Sequence, residues 1–378
     1  MAILLGVDTG GTYTDAVLVE DDARVIASAK ALTTKGDLSV GIGNAVDAVL
    51  RDAGLAGEVI AMVSLSTTLA TNALVEGQGR RIALVFIGFS ERDIGRQGLE
   101  ETLRGDPVIV LAGGHSHSGA EAAPLDLEGL RAGLAEHGGH VSGFAVAGQF
   151  ATRNPAHEVA ARDMIREVTH KPVSCSHELS AKLGGPKRAM TAVLNARLIG
   201  MIDHLISASE DLIRSRGINA PLMVVRGDGA LISAEQARER PIETILSGPA
   251  ASIVGARWLT GEDNALVSDI GGTTTDVALL RDGKPLIDPD GAKVGQYRTM
   301  VEAVAMRTAG LGGDSEVHLA QEGLAGRLTL GPRRVLPISL LAVDWPDLVH
   351  RSLEKSLQSN TCGALDGRFV LATVGPER

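Results

Sequence analysis

Apolar positions along the chain follow two spacings, one typical of helices and one typical of buried strands. Leu38–Ala53 carries apolar residues at helical spacing and stops at Gly54, a residue that often terminates helices. Val59–Leu65 is a short apolar run, which predicts a buried strand. Arg188–Arg216 predicts a long helix that is broken near Gly200. Because segments of both kinds alternate along the chain, the pattern predicts an α/β protein.

The remaining predicted elements are mostly short. The predicted strands are Arg24–Ala31, Arg81–Ile87, Val141–Ala147, Pro172–Cys175, Leu222–Val225 and Lys284–Ile287. The predicted helices are Asn154–Thr169, Ile242–Ala256 (with its entry at Ser247) and Pro346–Leu357. A hairpin is predicted over Leu328–Pro337 with its turn at Gly331-Pro332, followed by a short strand within Gly367–Arg378.

A polar motif interrupts this pattern twice. In residues 266–280 an apolar run leads into Asp269, two glycines and three threonines follow, and Asp276 opens a second apolar run. Such a sequence is typical of a strand, a tight turn and a second strand. Glycine lets the backbone of the turn approach a ligand closely, and successive N–H groups with threonine hydroxyls form an anion site.

The same motif occurs in residues 6–20. Its matching positions are Asp8, Gly10, Gly11, Thr12, Thr14, Asp15 and Leu18, which correspond to Asp269, Gly271, Gly272, Thr273, Thr275, Asp276 and Leu279. One such turn is a weak signal, but two with the same spacing favour phosphate binding over a pair of structural hairpins. A carboxylate beside phosphate makes physical sense only with a divalent cation between them. The phosphate motifs that open a helix, of the P-loop and dinucleotide-binding types, are absent from the sequence.

Composition narrows the class of protein. With 378 residues, a net charge of −10 and no Lys/Arg cluster, the chain is expected to form two or three domains and to bind no nucleic acid. It begins directly with a predicted strand, and no run looks long and apolar enough for a membrane span, so neither a signal segment nor a membrane partner is expected. Two distant cysteines, Cys175 and Cys362, suit a reducing cytoplasm and offer neither a disulfide framework nor a metal cluster.

Four loops carry chemistry that the sequence leaves open. The two histidines of His115–Gly119 have no third metal ligand nearby, which favours a hydrogen-bonding loop over a metal site. Arg153–Glu158 fits a capped helix start, with substrate contact as the alternative. The Ser/Thr cluster of Ser66–Leu74 fits a helix N-cap, or lines a cleft. The glycines of Arg307–Ser315 fit a ligand loop or a plain connector.

The duplicated hairpins resemble the two phosphate loops of the actin-like ATPase superfamily. With the other landmarks in order, the chain resembles the ATP-dependent hydantoinase/oxoprolinase family, and within it the HyuA-type subunit (N-methylhydantoinase A or 5-oxoprolinase-like). The segments that carry this resemblance are Gly6–Asp15, Ser66–Leu74, Gly113–His115, Arg153–Glu158, Ser176–Leu179, Thr191–Ala196, Ser247–Ala251, Ser268–Asp276 and Gly310–Ser315.

The resemblance implies an actin-like ATPase (RNase H-like) fold, an α/β architecture of two related lobes with an inserted segment. Residues 1–77 and 186–260 are the expected first lobe, residues 78–185 the inserted α/β segment, and residues 261–378 the second lobe. Family members usually continue well past this length, so the second lobe is expected to be shorter than is usual for the family.

The resemblance also implies a chemistry. ATP phosphorylates the amide oxygen of hydantoin, 5-oxoproline or a similar cyclic amide, and water opens the ring. Asp269 and Asp8 are the expected catalytic residues and Mg²⁺ ligands, with Asp269 the better candidate for orienting the attacking group. Asp15 and Asp276 either tie the turns or touch ligand, and Asp314 adds a carboxylate for metal or substrate. The residues expected to bind ATP are Gly10, Gly11, Thr12, Thr14, Gly271, Gly272, Thr273, Thr274, Gly312 and Gly313.

Partners and alternatives follow from the same resemblance. A HyuB-like second subunit and a homo- or hetero-oligomer are expected, and some relatives carboxylate ketones. One alternative is a small-molecule kinase of the same superfamily, which would release a stable phosphorylated product. The other is a non-catalytic nucleotide-binding subunit, which would bind ATP without hydrolysing it.

Overall fold

The computed structural model describes residues 2–34, 36–272, 274–320 and 327–358. The strands, in chain order, are β1 (Ile3–Thr9), β2 (Tyr13–Glu20), β3 (Arg24–Leu32), β4 (Ile60–Thr67), β5 (Ala83–Ile87), β6 (Val108–Leu111), β7 (Phe144–Gly148), β8 (Val173–Cys175), β9 (Leu222–Val225), β10 (Leu231–Ser233), β11 (Ala265–Ile270), β12 (Thr275–Arg281), β13 (Lys284–Pro285), β14 (Lys293–Val294), β15 (Tyr297–Arg298), β16 (Met306–Ala309), β17 (Ser315–Ala320) and β18 (Arg327–Arg334).

The helices, in chain order, are α1 (Leu38–Ala53), α2 (Leu69–Val75), α3 (Leu99–Leu103), α4 (Leu127–His137), α5 (Ala156–Thr169), α6 (Ser176–Leu179), α7 (Gly185–Ser215), α8 (Ala234–Glu239), α9 (Ser247–Thr260), α10 (Ile338–Asp344) and α11 (Pro346–Gln358). Three sequence predictions, the site residue Thr273, the second cysteine Cys362 and the strand within Gly367–Arg378, lie outside the described residues.

The chain divides into two compact units. The first contains the residues up to Val267 together with Ala278–Met306, and the second contains Ser268–Val277 and the residues from Arg307 onward. The division predicted from the family resemblance, into 1–77 with 186–260, 78–185 and 261–378, stays a prediction. Strands β11, β12 and β13 lie side by side in that order, and β16 also pairs with β12.

A six-stranded sheet with the order β10-β9-β4-β1-β2-β3 is the centre of the first unit. Strands β1, β4 and β9 are parallel to one another, and the outer strands extend the sheet in antiparallel fashion. Successive side chains of a strand point to opposite faces. On one face Leu5, Val7 and Leu18 join Ile42 and Val46 of α1 in a single buried cluster, and that face is therefore the core side.

Helix α1 forms where the sequence predicts it. The Asp37 side chain accepts a hydrogen bond from the backbone N–H of Ser39 at the N-terminus, and Gly54 takes φ +64° at the C-terminus. A left-handed residue after the last turn favours glycine, because a Cβ would strain that conformation. The apolar stripe buries Ile42, Val46 and Val49 against the sheet. The apolar spacing, the N-terminal cap and the C-terminal glycine therefore all indicate the same helix.

A second, fully parallel sheet with the order β6-β5-β7-β8 lies in the same unit. Every residue of β5 and of β7 is buried, which explains why both segments are continuous apolar runs. The predicted strands and the predicted helix at Asn154–Thr169 are confirmed, although β7 and α5 each start a few residues later than expected.

Helix α7 corrects a prediction. It runs without interruption from Gly185 to Ser215, so the break expected near Gly200 is wrong. A single glycine costs a helix only about 1 kcal/mol relative to alanine, and burial of the helix in the core outweighs that cost. By length and composition alone α7 is apolar enough to cross a membrane, and 72% of that stretch is buried inside the protein, as is usual for a core helix.

The second unit contains an antiparallel pair, β17 and β18, and the helices α10 and α11. The hairpin turn predicted at Gly331-Pro332 is wrong, because both residues lie within β18. Gly331 has φ +70°, and the register between the two strands shifts at this point. The glycine therefore marks a bulge in the strand rather than its end. The predicted helix at Pro346–Leu357 is confirmed as α11.

Helix α9 begins at Ser247, which confirms the helix entry predicted there. The preceding residues, Pro241–Thr244, form a short 3₁₀ segment. Between them Leu246 takes φ +61°, a left-handed conformation that is costly for a leucine. This residue is also buried, so the surrounding structure holds it in place.

Candidate functional site

The first hairpin forms the tight turn that the sequence predicts. Gly10 donates its backbone N–H to the carbonyl oxygen of Tyr13 at 3.0 Å. A Cβ at Gly10 would lie 3.1 Å from that same oxygen, whereas a Cβ at Gly11 would meet no atom within 4 Å. The first glycine is thus required by close backbone approach, and the second leaves the outer side of the turn open. Within the described part of the chain, the N–H groups of Gly11 and Thr12 donate to no protein acceptor.

The second hairpin repeats this turn. Gly271 donates its N–H to the carbonyl oxygen of Thr274 at 2.9 Å, at the positions that match Gly10 and Tyr13. A Cβ at Gly271 would lie 3.3 Å from the Thr274 oxygen, and one at Gly272 would meet nothing within 4 Å. The repeat seen in the sequence is therefore also a repeat of backbone geometry.

Asp8 lies near the end of β1, where several elements of the first unit meet. Its cross-strand neighbours are Asp15 on β2 and Ser66 on β4. The start of α9 lies close by, because a Cβ at Gly248 would be 3.8 Å from the Asp8 carboxylate and 3.9 Å from the Ser66 hydroxyl. Ser66 is 3% exposed, and its hydroxyl has no hydrogen-bond partner among the described residues.

Two hydrogen-bonded contacts fix the start of α9 beside Asp8. The Ser247 hydroxyl donates to the carbonyl oxygen of Thr67 at 2.9 Å and accepts from the N–H of the same residue at 3.3 Å. Leu246 donates its N–H to the Thr71 hydroxyl at 3.0 Å. The Ser/Thr cluster that follows β4 therefore lines the site and also anchors α9. The sequence indicated each segment separately, and no local signal indicated that they meet.

Thr14 and Asp15 are occupied by contacts within the protein. The hydroxyl of Thr33 donates to the carbonyl oxygen of Gly10 at 3.0 Å, which leaves Thr14 to donate to Thr33 at 3.0 Å. Thr14 is completely buried, so it supports the turn from the core side. Asp15 pairs with Lys30 at 2.8 Å on the other face of the sheet. Whether these residues also touch ligand stays a prediction.

The glycine-rich loop of the second unit lies directly against the second turn. Gly313 donates its N–H to the carbonyl oxygen of Gly271 at 3.1 Å, and Asp314 donates to that of Gly272 at 2.8 Å. The Thr275 hydroxyl donates to the carbonyl of Leu311 at 2.6 Å. The structure thus brings Gly312, Gly313, Gly271 and Gly272 together, which favours a ligand loop over a plain connector.

The carboxylates of this second loop system have different surroundings. Asp269, near the end of β11, is exposed. Asp276 accepts a hydrogen bond from the Thr308 hydroxyl at 2.6 Å, so it ties β12 to β16. Asp314 pairs with Arg334 at 2.9 Å. Of the three, Asp269 is the most accessible to an incoming ligand.

A cavity of about 380 Å³ opens on the face of the six-stranded sheet that is opposite the core. Its lining includes Asp8 and Ser66, and Ala251 of α9 and Val225 of β9 close one end. Alternation along the strands puts Asp8 on this face, while its neighbours Val7 and Thr9 are buried on the other. The cavity therefore extends to Asp8, at the end of β1 that leads into the first turn.

The segment Arg153–Glu158 serves a structural network. Glu158 is completely buried, and its carboxylate accepts hydrogen bonds from the N–H of Gly148 at 2.7 Å, the Ser176 hydroxyl at 2.6 Å and the N–H of His177 at 3.0 Å. Arg188 of α7 donates to Ser176 at 3.2 Å and to the carbonyl of Gly148 at 2.8 Å. Burial lowers the pKa of the Arg188 guanidinium, and the nearby Glu158 carboxylate opposes that shift. The network joins both sides of the parallel sheet.

Cys175 adds a third potential metal ligand beside Glu158 and His177, since their ligand atoms lie within 4.8 Å of one another. The sequence, with its two distant cysteines, did not indicate this group. His177 Nδ1 lies 2.6 Å from the Glu158 carboxylate, a direct hydrogen-bond distance. Burial and the neighbouring carboxylates raise the pKa of the Cys175 thiol, so it stays protonated. The three side chains therefore belong to a hydrogen-bonded network around the buried Glu158.

The His115 loop is also a hydrogen-bonded arrangement. His115 is 3% exposed, and its ring packs on that of His157 with a centroid distance of 4.4 Å. Nδ1 of His157 accepts the N–H of Gly114 at 2.9 Å, so its Nε2 carries the proton and donates to Glu121 at 3.1 Å. Burial lowers the pKa of His115, and the adjacent His157 adds to the effect.

Known sequences and structures were compared with the chain. The profile of the hydantoinase/oxoprolinase N-terminal region matches residues 4–169, and that of the hydantoinase/oxoprolinase region matches residues 188–336. The chain is 31% identical over 375 residues to the acetophenone carboxylase gamma subunit of Aromatoleum aromaticum, an alignment that covers 87% of the chain and 49% of the relative. It is 30% identical over 355 residues to the caprolactamase subunit alpha of Pseudomonas jessenii, covering 87% and 50%.

A solved structure gives the same picture of the fold. The crystal structure of ATP-dependent caprolactamase from Pseudomonas jessenii aligns with a TM-score of 0.72 at 27% identity, covering 88% of this chain and 51% of that one. The chain spans about half the length of the curated relatives it matches. With both profiles matched in order over most of its residues, the chain belongs to the hydantoinase/oxoprolinase family.

Proposed function

We propose that this chain is the ATP-binding subunit of an enzyme that hydrolyses a cyclic amide or imide, with hydantoin, 5-oxoproline or a similar lactam as substrate. The observation that carries the proposal is the repeated turn, in which Gly10 bonds Tyr13 and Gly271 bonds Thr274 in the same way. Two open glycine turns, each preceded by an aspartate, are suited to polyphosphate. The repeat also supports the finer fold assignment, an actin-like ATPase fold with two related lobes.

The residues at each turn suit a phosphate with a divalent cation. The outer side of the first turn is open at Gly11, and its N–H groups are available to an anion. Asp8 and Asp269 supply the oxygen ligands that Mg²⁺ prefers, each beside its own turn. When bound, Mg²⁺ neutralises phosphate charge, which is the main requirement of phosphoryl transfer. Gly271, Gly272 and the Gly312-Gly313 loop form the matching phosphate site of the second unit.

The amide oxygen attacks the γ-phosphorus of ATP, and ADP leaves with the electron pair of the broken P–O bond. Water adds to the activated ring carbon, the C–N bond breaks, and the nitrogen leaves as an amine after it takes a proton. A second water releases phosphate from the resulting acyl phosphate. Positioning and charge neutralisation carry such chemistry, so the protein needs no strong nucleophile of its own.

Ketone carboxylation is the second candidate. The 31% identity to an acetophenone carboxylase subunit favours it, and its activation step would use ATP at the same loops. Because the relatives are named as subunits, we propose that this chain also works with a HyuB-like partner in a hetero-oligomer. We further propose that the protein acts in the cytoplasm.

Phosphate release separates these candidates. Purified protein with ATP and Mg²⁺, with and without the partner subunit, is given hydantoin, 5-oxoproline or caprolactam, and in parallel acetophenone with bicarbonate. Release that depends on a ring amide and yields the opened acid supports amide hydrolysis. Release that depends on ketone and bicarbonate supports the second candidate. A stable phosphorylated product would indicate a kinase, and nucleotide binding without any release would indicate a non-catalytic subunit.

A further inference from the structure

Two rows of side chains form the floor of the cavity beneath the first turn. Cross-strand pairing puts Lys30, Asp15, Asp8 and Ser66 side by side in one row. Two residues away along the strands, Ser28, Val17, Gly6 and Ser64 form the next row. All eight line the same cavity of about 380 Å³. The first row is polar and charged, and the second is small and uncharged.

At the Ser66 end of the polar row, one hydroxyl is an unused hydrogen-bond donor. The Ser66 hydroxyl is buried without a hydrogen-bond partner among the described residues, a state that is costly for a hydroxyl. At the start of α9, Gly248 faces both Ser66 and Asp8. Space at Gly248 and an unpaired hydroxyl together indicate that a ligand atom that accepts a hydrogen bond belongs here.

The uncharged row provides room for a small ring. Gly6 has no side chain and Ser64 is small, so the floor beside Val17 carries little side-chain bulk, and Val225 of β9 and Ala251 of α9 complete the lining. A negatively charged substituent over this row would find no counter-charge other than Lys30 among the described lining residues. Lys30 is already paired with Asp15 at 2.8 Å. Burying an unpaired carboxylate is unfavourable, which selects against anionic rings.

We infer that this cavity is the site for the ring of the substrate, and that the substrate is an uncharged cyclic amide whose carbonyl oxygen accepts a hydrogen bond from Ser66. The inference rests on the proposed function for its choice of an amide. In this position the amide oxygen lies beside Asp8 and below the first turn, where phosphate is proposed to bind.

Two glycines of α9 give a matched pair of variants. A Cβ at Gly248 would lie in ordinary contact with Asp8, Thr68 and Ser66, at 3.8, 3.8 and 3.9 Å, so Gly248→Ala adds a methyl group beside the Asp8 and Ser66 side chains without a clash. A Cβ at Gly255 on the same helix would meet nothing within 4 Å. Both changes favour the helix, because alanine has the higher helix propensity. Only Gly248→Ala is expected to weaken ring binding, by about tenfold or more.

Binding is measured on the full chain without nucleotide, by ligand-observed NMR titration with 2-pyrrolidinone and with 5-oxoproline. These two probes share a five-membered lactam and differ only in the carboxylate. We expect 2-pyrrolidinone to bind at least about tenfold more tightly than 5-oxoproline, and Gly248→Ala but not Gly255→Ala to weaken the binding of 2-pyrrolidinone. Equal or tighter binding of 5-oxoproline overturns the charge assignment.

Ser66→Ala tests the hydrogen bond separately from the shape. Because the hydroxyl has no hydrogen-bond partner among the described residues, its removal is expected to leave the melting temperature unchanged or raised while lactam affinity falls about tenfold. A lower melting temperature with unchanged lactam affinity overturns the role of Ser66. If Gly248→Ala weakens ATP binding as much as lactam binding, the cavity belongs to the nucleotide and the inference fails.

The inference and the proposed function can fail independently. Lactam binding that Gly248→Ala removes, without ring-dependent phosphate release, supports the pocket and contradicts the reaction. Ring-dependent phosphate release that is unaffected by Gly248→Ala and Ser66→Ala supports the reaction and contradicts the pocket.

Discussion

The hydroxyl of Ser247 bonds both backbone groups of Thr67, donating to the carbonyl oxygen at 2.9 Å and accepting from the N–H at 3.3 Å. The two residues are 180 positions apart in the chain. Both are buried, so each bond is made away from water. This one side chain joins the end of β4 to the start of α9, and thereby sets the position of Gly248 relative to Asp8.

Replacing Ser247 by alanine should therefore disturb both stability and site. The change leaves two buried backbone groups of Thr67 without their partner, which costs about 1–3 kcal/mol of unfolding free energy. Urea denaturation measures that loss, and ATP turnover should fall with it because α9 shifts relative to Asp8. Thr260→Ala at the exposed end of α9 is the control, and its effect should stay within about 0.5 kcal/mol. Equal stability losses in the two variants would contradict the anchoring role.

The paired glycines of the two turns give the second prediction. Gly10→Ala puts a Cβ 3.1 Å from the Tyr13 carbonyl, and Gly271→Ala puts one 3.3 Å from that of Thr274. Both should distort the turn and weaken ATP binding. Gly11→Ala meets no protein atom, so any loss of affinity there reports a clash with ligand rather than with the protein. Nucleotide titration together with melting curves separates the two cases. Gly10→Ala should lower both the nucleotide affinity and the melting temperature, whereas Gly11→Ala should lower only the nucleotide affinity.

Asp269→Asn provides the third prediction. The side chain is exposed, so the neutral amide should leave the fold intact. Loss of the carboxylate that is proposed to hold Mg²⁺ and to orient the attacking group should reduce ATP turnover by at least about a hundredfold. Turnover is measured as phosphate release, with Asp282→Asn as the control because Asp282 lies in a turn with φ +50°, which asparagine tolerates. Unchanged turnover in Asp269→Asn would remove this residue from the mechanism.

The buried network gives a prediction about stability alone. Arg188→Met removes the guanidinium that lies near the fully buried Glu158, and such an uncompensated charge typically costs about 3–5 kcal/mol. Adding Glu158→Gln should recover part of that loss, because no buried charge is then left without its counterpart. A double-mutant cycle by urea denaturation measures the coupling. Strictly additive losses would show that the two residues act independently.

Local patterns predicted more of the fold than of its contacts. Helix α1 agrees with its predicted bounds because its apolar spacing, its cap at Asp37 and its stop at Gly54 act over a few residues. The turns at Gly10 and Gly271 were likewise predictable from glycine and spacing. The expected break near Gly200 failed because burial of α7 outweighs the propensity of one residue.

Long-range contacts left no such local signal. The bond between Thr67 and Ser247 joins segments that each look like an ordinary helix entry, and only the fold brings them together. The cavity floor depends on which residues of four strands stand side by side, and register is not readable from one strand alone. The buried role of Glu158 was equally hidden, since a glutamate in the first turn of a helix is usually on the surface.

The pH dependence of stability follows from His115. Burial lowers its pKa in the folded protein below the usual value of 6.5, so the unfolded chain binds the proton more readily. The contribution of the neutral His115 ring to the free energy of unfolding is therefore fully present when the pH is above the usual pKa. It is lost as the pH falls through the lower pKa of the folded protein. His115→Phe keeps an aromatic ring against His157 and cannot titrate, so the difference in unfolding free energy between pH 7.5 and pH 5.5 should shrink. Urea denaturation at both pH values measures it, with the exposed His140→Gln as the control. An unchanged difference in His115→Phe would assign the pH dependence to other groups.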